Sequence, residues 1–214
     1  MYSLSDHYSE NNDSNVHSRQ VYGLTVLKNS HKDIRRLRRQ TGNTSLHGNK
    51  LWNSSCLLID YLSCYPPDNG LRIIDIGCGW GISSIYCAKS FQADVTALDA
   101  DERVFPYCHH HAAINKVTLT TRHSSFESLK IEDLANYDMV IASDICFWDE
   151  LAEPLSALIY RCYEAGVSRV VIADPGREPF QWVAEHAVEL FSASYEPWSA
   201  PHPYNMSGFV LDIA

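Results

Sequence analysis

In the stretch LRIIDIGCGWG, Leu71 to Gly81, an apolar run leads into Asp75 and then into glycines at 77, 79 and 81. Glycine has no Cβ, so glycines at alternate positions let the main chain turn sharply and approach a ligand closely. A dinucleotide-binding turn requires G-x-G-x-x-G, but the third glycine position falls on Ile82 counted from Gly77 and on Ser84 counted from Gly79. A phosphate-cradling loop would require Gly-Lys-Ser/Thr, which does not follow. Further on, ADVTALD ends in Asp99, and an acid at the tip of a second strand can accept hydrogen bonds from both ribose hydroxyls. Glycines without phosphate-binding residues, together with a ribose acid, suit a nucleoside that carries an amino acid.

A second group of reactive types lies in SDICFW, Ser143 to Trp148, at the end of the apolar run YDMVIA. A third is Asp174, Pro175, Gly176 and Arg177, again at the end of an apolar run. The triple histidine in CHHHAAIN, Cys108 to Asn115, invites a metal reading. Adjacent helical residues point about 100° apart, so three consecutive histidines do not converge on one ion, and no metal site is expected. Cys78 and Cys146 flank the candidate site, but the sequence places no base beside either, so both read as small buried fillers.

The elements that must position these residues alternate. LWNSSCLLIDYLSCY has helical apolar spacing and ends at PPDNG. Strands are predicted at 71–76, 94–99, 117–122, 138–142 and 168–173, with helices near 82–91, 102–113, 149–165 and 179–188. This rhythm implies a parallel sheet with helices on both faces, a Rossmann-like three-layer α/β sandwich. AVELFSASYEP and NMSGFVLDIA read as two closing strands with no helix between them. They make seven strands in all, the last two an antiparallel hairpin. Residues 1–50 are expected to be a flexible arm, disordered over about 1–20, followed by a basic cap segment. Residues 51–214 are expected to form the domain.

These residues resemble the class I, seven-strand S-adenosylmethionine-dependent methyltransferases from about Trp52 to the C terminus. The resemblance implies S-adenosylmethionine as cofactor. Gly77, Gly79 and Gly81, with Cys78 among them, would lie under its methionine part, and Asp75 would brace the turn or reach the amine. Asp99 would hold the ribose, Ser125 and Phe126 in HSSFESL the adenine, and Ser143 would lie beside the cofactor. SDICF resembles the D-x-x-Y signature of the seven-strand protein-lysine methyltransferases, which act on chaperones, elongation factors and electron-transfer flavoprotein β. Phe147 replaces the tyrosine, keeping the aromatic face and losing the hydroxyl. HGNKLWNSSCLLIDYL resembles that group's segment with a tryptophan ahead of the first core helix, where Trp52 would flank the cofactor. IADPGREPF resembles the loop after strand five of the flavoprotein-β enzymes. The resemblance implies methyl transfer to a protein side chain, lysine, with Asp144 orienting the amine or receiving its proton. Phe147 and Trp148 would hold the cation, and Arg177 would bind an acidic substrate group or pair with Asp174. Two alternatives stay open: methylation of a small metabolite, and cofactor binding without turnover.

The 214 residues carry a net charge of −9, which argues against a general nucleic-acid binder. Lys28, Lys32, Arg35, Arg36, Arg38 and Arg39 nevertheless cluster, opposed locally by Asp33. Seven cysteines without paired spacing suit a reducing compartment. The polar start lacks the apolar core of a signal peptide, and no run is long enough to span a membrane. A cytoplasmic monomer acting on an unidentified protein partner is the expectation.

Overall fold

The structure, a computed structural model, describes residues 17–42 and 52–214. Two short strands, β1 (Ser18–Val21) and β2 (Leu24–Leu27), and the basic helix α1 (Lys32–Thr41) come first. The remaining elements are α2 (Ser54–Cys64), β3 (Arg72–Ile76), α3 (Ile82–Ser90), β4 (Asp94–Asp99), α4 (Phe105–Asn115), β5 (Thr120–His123), α5 (Ile131–Leu134), β6 (Met139–Ser143), α6 (Ala152–Glu164), β7 (Arg169–Asp174), α7 (Glu178–Phe191), β8 (Ser194–Ala200) and β9 (Met206–Ile213). The main sheet has seven strands in the order β5-β4-β3-β6-β7-β9-β8. β3 to β7 are parallel, and β9 pairs antiparallel with both β7 and β8.

The strand sequences explain why the sheet is covered on both faces. Successive side chains point to opposite sides, so Ile73, Met139, Ile141, Val171 and Ala173 belong to one core with α2, α3 and α4. Ile74, Ile76, Val140, Ala142, Val170 and Ile172 belong to the other, with α6 and α7. Near-continuous apolar strands serve both cores at once. The strand order reverses between β3 and β6, and the crevice at such a switch point is where ligands bind in open α/β sheets.

Two expectations need correction. AVELF does not begin a strand: α7 runs on through Phe191, burying Val183, Ala184 and Ala187, and β8 starts only at Ser194. The boundary at residue 50 also fails to match the packing. β1 and β2 form a hairpin whose turn, Tyr22–Gly23, has φ of 46° and 77°. Val21, Leu24, Val26, Leu27 and Ile34 are buried in the same core as α2, α3 and α4. The hairpin edge is also tied down: the Leu27 N–H donates to His111 Nε2 (3.2 Å), the Thr25 N–H to Asn115 Oδ1 (2.8 Å), and the Tyr22 hydroxyl to Asp60 Oδ1 (2.7 Å). Residues 1–16 of the expected arm lie outside the described residues, as does the segment 43–51. Among the described residues, no helix is long and apolar enough to cross a membrane.

Candidate functional site

At the C-terminal ends of β3, β4 and β6 lies a cleft of about 460 Å³, within the range of small-ligand pockets. Gly77 and Gly79 form one wall, with Asp99 and Asp101 beside them, Ser125 and Phe126 at one end, and Trp52, Ser143, Asp144 and Phe147 at the other. The glycine turn fits an adenosyl group. Gly79 has φ +53°, and a Cβ there would meet no protein atom within 4 Å, so that wall is bare main chain. Gly77, at φ +68°, is packed instead: a Cβ would stand 2.6 Å from Ile145 Cγ2.

Asp99 is pinned for one job. Its Oδ2 accepts the Gly79 N–H and its Oδ1 the Asp101 N–H, both at 2.9 Å. Burial raises its pKa, and these backbone donors oppose the rise. The carboxylate therefore couples the glycine turn to the β4 tip and still lines the cleft.

Asp75, Cys78 and Gly81 do not line the cleft. Asp75 points to the side of the sheet that α3 covers and accepts from Ser84 Oγ at 2.5 Å; burial pushes its pKa up to about 7. It braces the turn. Gly81 caps α3 at φ +72°, and a Cβ there would collide with Cys108 Sγ. Contact with the Cys108 thiol and burial raise the Cys78 pKa, and burial pushes Cys146 up to about 11. Protonated thiols are poor nucleophiles.

The acceptor end is organised around Asp144, which is buried and left-handed at φ +60°. That conformation is costly for a non-glycine residue, and such strain clusters at functional positions. Three elements hold it: Ser54 Oγ at the start of α2 donates to Oδ2 (2.9 Å), the Asp144 N–H donates to Ala173 O on β7 (2.9 Å), and Arg177 pairs with Oδ1. Arg177 also pairs with Asp174 at 2.9 Å, and its guanidinium lies 5.2 Å from the centre of the Phe147 ring. Arg177 is thus already committed to two acids and an aromatic face. Trp52 and Phe147 stand 6.3 Å apart, ring centre to ring centre. Trp148 is exposed and lines an adjoining depression rather than the cleft.

Sequence reasoning missed Ser54, Asp101 and Arg103. Asp101 follows Asp99 by two residues, a visible signal; Ser54 meets Asp144 across 90 positions, and spacing gives no hint of that. The three histidines face different partners: His109 meets Thr121, His110 lies 3.4 Å from Asp33, and buried His111 joins Tyr107 O to the hairpin.

Residues 73–166 match the family described as "Methyltransferase domain". The chain is 37% identical over 142 residues to a ubiquinone biosynthesis O-methyltransferase of Roseobacter denitrificans, covering 62% of this chain and 54% of that one. It is 25% identical over 154 residues to the rat electron transfer flavoprotein beta subunit lysine methyltransferase, covering 66% and 56%. The chain therefore spans about half the length of these two curated relatives. Among solved structures, the Pyrococcus abyssi tRNA (uracil-54, C5)-methyltransferase in complex with S-adenosyl-L-homocysteine superposes with a TM-score of 0.56 at 14% identity, covering 91% of this chain and 43% of that one. Sheet order, glycine turn and the match over residues 73–166 agree on a Rossmann-like methyltransferase fold with S-adenosylmethionine as its cofactor.

Proposed function

We propose that this protein transfers a methyl group from S-adenosylmethionine to an amine, a lysine side chain, on another protein. One observation carries the acceptor class: the mouth of the cleft already holds a cation, the Arg177 guanidinium, against the Asp144 carboxylate and near the Phe147 ring. A site that seats one cation between an acid and an aromatic face suits an incoming ammonium. The likeness to the rat lysine methyltransferase supports the same reading.

The cofactor supplies an activated methyl on a sulfonium. Within this chain, bare main chain at Gly79 would admit the ligand closely, Asp99 would hold ribose hydroxyls, and Phe126 would offer a face to the adenine. Trp52 and Phe147 exclude water and narrow the approach of the nucleophile. Alignment of this kind contributes up to roughly 7–11 kcal/mol in ideal cases. An amine must lose its proton to attack, although a free lysine titrates near 10.4; desolvation between Trp52 and Phe147 lowers that value. The amine displaces Arg177 from Oδ1 of Asp144, which orients it and accepts its proton, while Arg177 stays paired with Asp174.

A small-molecule acceptor is the second reading, and likeness of sequence favours it over the first: the curated relatives at 34–37% identity are ubiquinone biosynthesis O-methyltransferases. Incubating a lysate with the purified protein and methyl-labelled cofactor separates the two. Label in the protein fraction, with a +14 Da shift on lysine, supports the first, and label confined to small molecules supports the second. On the labelled acceptor, Asp144→Asn should lower turnover at least tenfold while cofactor affinity stays within threefold. Unchanged turnover would remove Asp144 from the mechanism.

A further inference from the structure

Beside the cofactor cleft runs a groove that shares Phe147 and Arg177 with the acceptor end and otherwise lies outside the proposed methyl transfer. One depression of about 630 Å³ is lined by Phe147, Trp148, Asp149, Glu150, Arg177 and Glu178, and so shares Phe147 with the cleft. A second, of about 330 Å³, is lined by Asp149, Ala152, Glu153, Glu178, Pro179 and Trp182. The two share Asp149, Glu178 and Pro179. Together they make one track leading from the acceptor mouth between the starts of α6 and α7.

Two properties of this track stand out. Trp148 and Trp182 are 59% and 40% exposed, a large apolar area to leave in water. Asp149, Glu150, Glu153 and Glu178 are exposed, and among the described residues none of the four is in an ion pair. Among the described residues, Arg177 is the one lysine or arginine lining the track, and Asp144 and Asp174 already engage it. Helix dipoles favour acids at the starts of α6 and α7. They do not account for two exposed tryptophans in the same groove, and tryptophan faces beside unpaired carboxylates are what lysine and arginine side chains bind.

We propose that this groove docks a lysine- and arginine-rich segment of the acceptor protein and presents the neighbouring target side chain to the cleft. The proposal rests on the protein-acceptor reading above. The test uses the full chain and a fluorescein-labelled peptide of alternating glycine with lysine or arginine, read by anisotropy. The wild type should bind it with an affinity that falls as salt rises. Trp182→Ala, and the combination Glu150→Gln, Glu153→Gln, Glu178→Gln, should each weaken binding at least tenfold. Calorimetry should show cofactor affinity unchanged in both, which also establishes that they fold. Equal binding by the wild type and these variants overturns the proposal. So does equal or tighter binding of a glutamate peptide of the same length, or a wild-type dimer in sedimentation that Trp182→Ala dissociates, which would make the groove a self-association surface. The lysate experiment separates the two failures. Protein labelled as fully by the triple variant as by the wild type overturns docking and leaves the protein acceptor standing; label confined to small molecules overturns the protein acceptor.

Discussion

Gly77 and Gly79 look equivalent in the sequence, and the fold gives them different tasks. Both have positive φ and both line the cleft, but only at Gly77 would an added Cβ meet a side chain, Ile145 Cγ2 at 2.6 Å. Gly77→Ala should therefore act on the fold. Left-handed strain of about 1–2 kcal/mol adds to overpacking of about 1–3 kcal/mol, measurable by urea denaturation. Gly79→Ala meets no protein atom, so it should cost only the strain while weakening cofactor binding at least tenfold by calorimetry. A loss of affinity without the predicted split in stability would refute the assignment of tasks. The spacing of glycines and Asp99 was legible because a turn and a strand tip are local events. The acceptor end was less so: Asp144 stood out by its place after β6, but its left-handed backbone and its hold by Ser54 and Arg177 depend on elements distant in the chain.

At the scale of elements, the parallel strands were readable because each is a short branched-apolar run ended by polar residues. The N-terminal hairpin was legible only as one short strand at VYGLTVLK, not as a hairpin packed into the core. VYGLTVLK is brief and lies between polar stretches, and its partners are remote; the Tyr22 N–H donates to the Tyr204 hydroxyl, 182 positions away. Its apolar side chains nevertheless enter the core, with Leu24 fully buried. If the hairpin is part of the domain, Leu24→Ala should cost about 2–5 kcal/mol, as for other buried leucines, and lower the single denaturation midpoint of the whole protein. A detachable arm predicts no change in that midpoint. The same packing explains why the basic helix α1 follows at a fixed position: Ile34 anchors it, and Thr41 Oγ1 reaches the Tyr107 hydroxyl at 3.2 Å.

At the scale of the whole molecule, two buried ionisable groups on the same side of the sheet make stability respond to pH in opposite senses. Burial lowers His111 from 6.5 to about 4. Its folded environment favours the neutral ring, so its contribution is present above 6.5 and is lost as pH falls toward 4. Burial raises Asp75 from 3.8 to about 7. Its folded environment favours the protonated acid, so its contribution is full below 3.8 and is lost as pH rises toward 7. Between those limits each group contributes a slope of at most about 1.4 kcal/mol per pH unit, and the two slopes oppose, leaving the wild type comparatively flat. Asp75→Asn keeps an acceptor for Ser84 and removes one slope. The stability of wild type minus that of Asp75→Asn, taken from urea midpoints without added cofactor, should therefore decline steadily from pH 4 to pH 7. The variant itself should lose stability in acid more steeply than the wild type, because the His111 contribution then stands unopposed. A difference that stays constant across that window would mean that the Asp75 carboxyl titrates alike in the folded and unfolded chain, and that its bond to Ser84 offsets its burial in full.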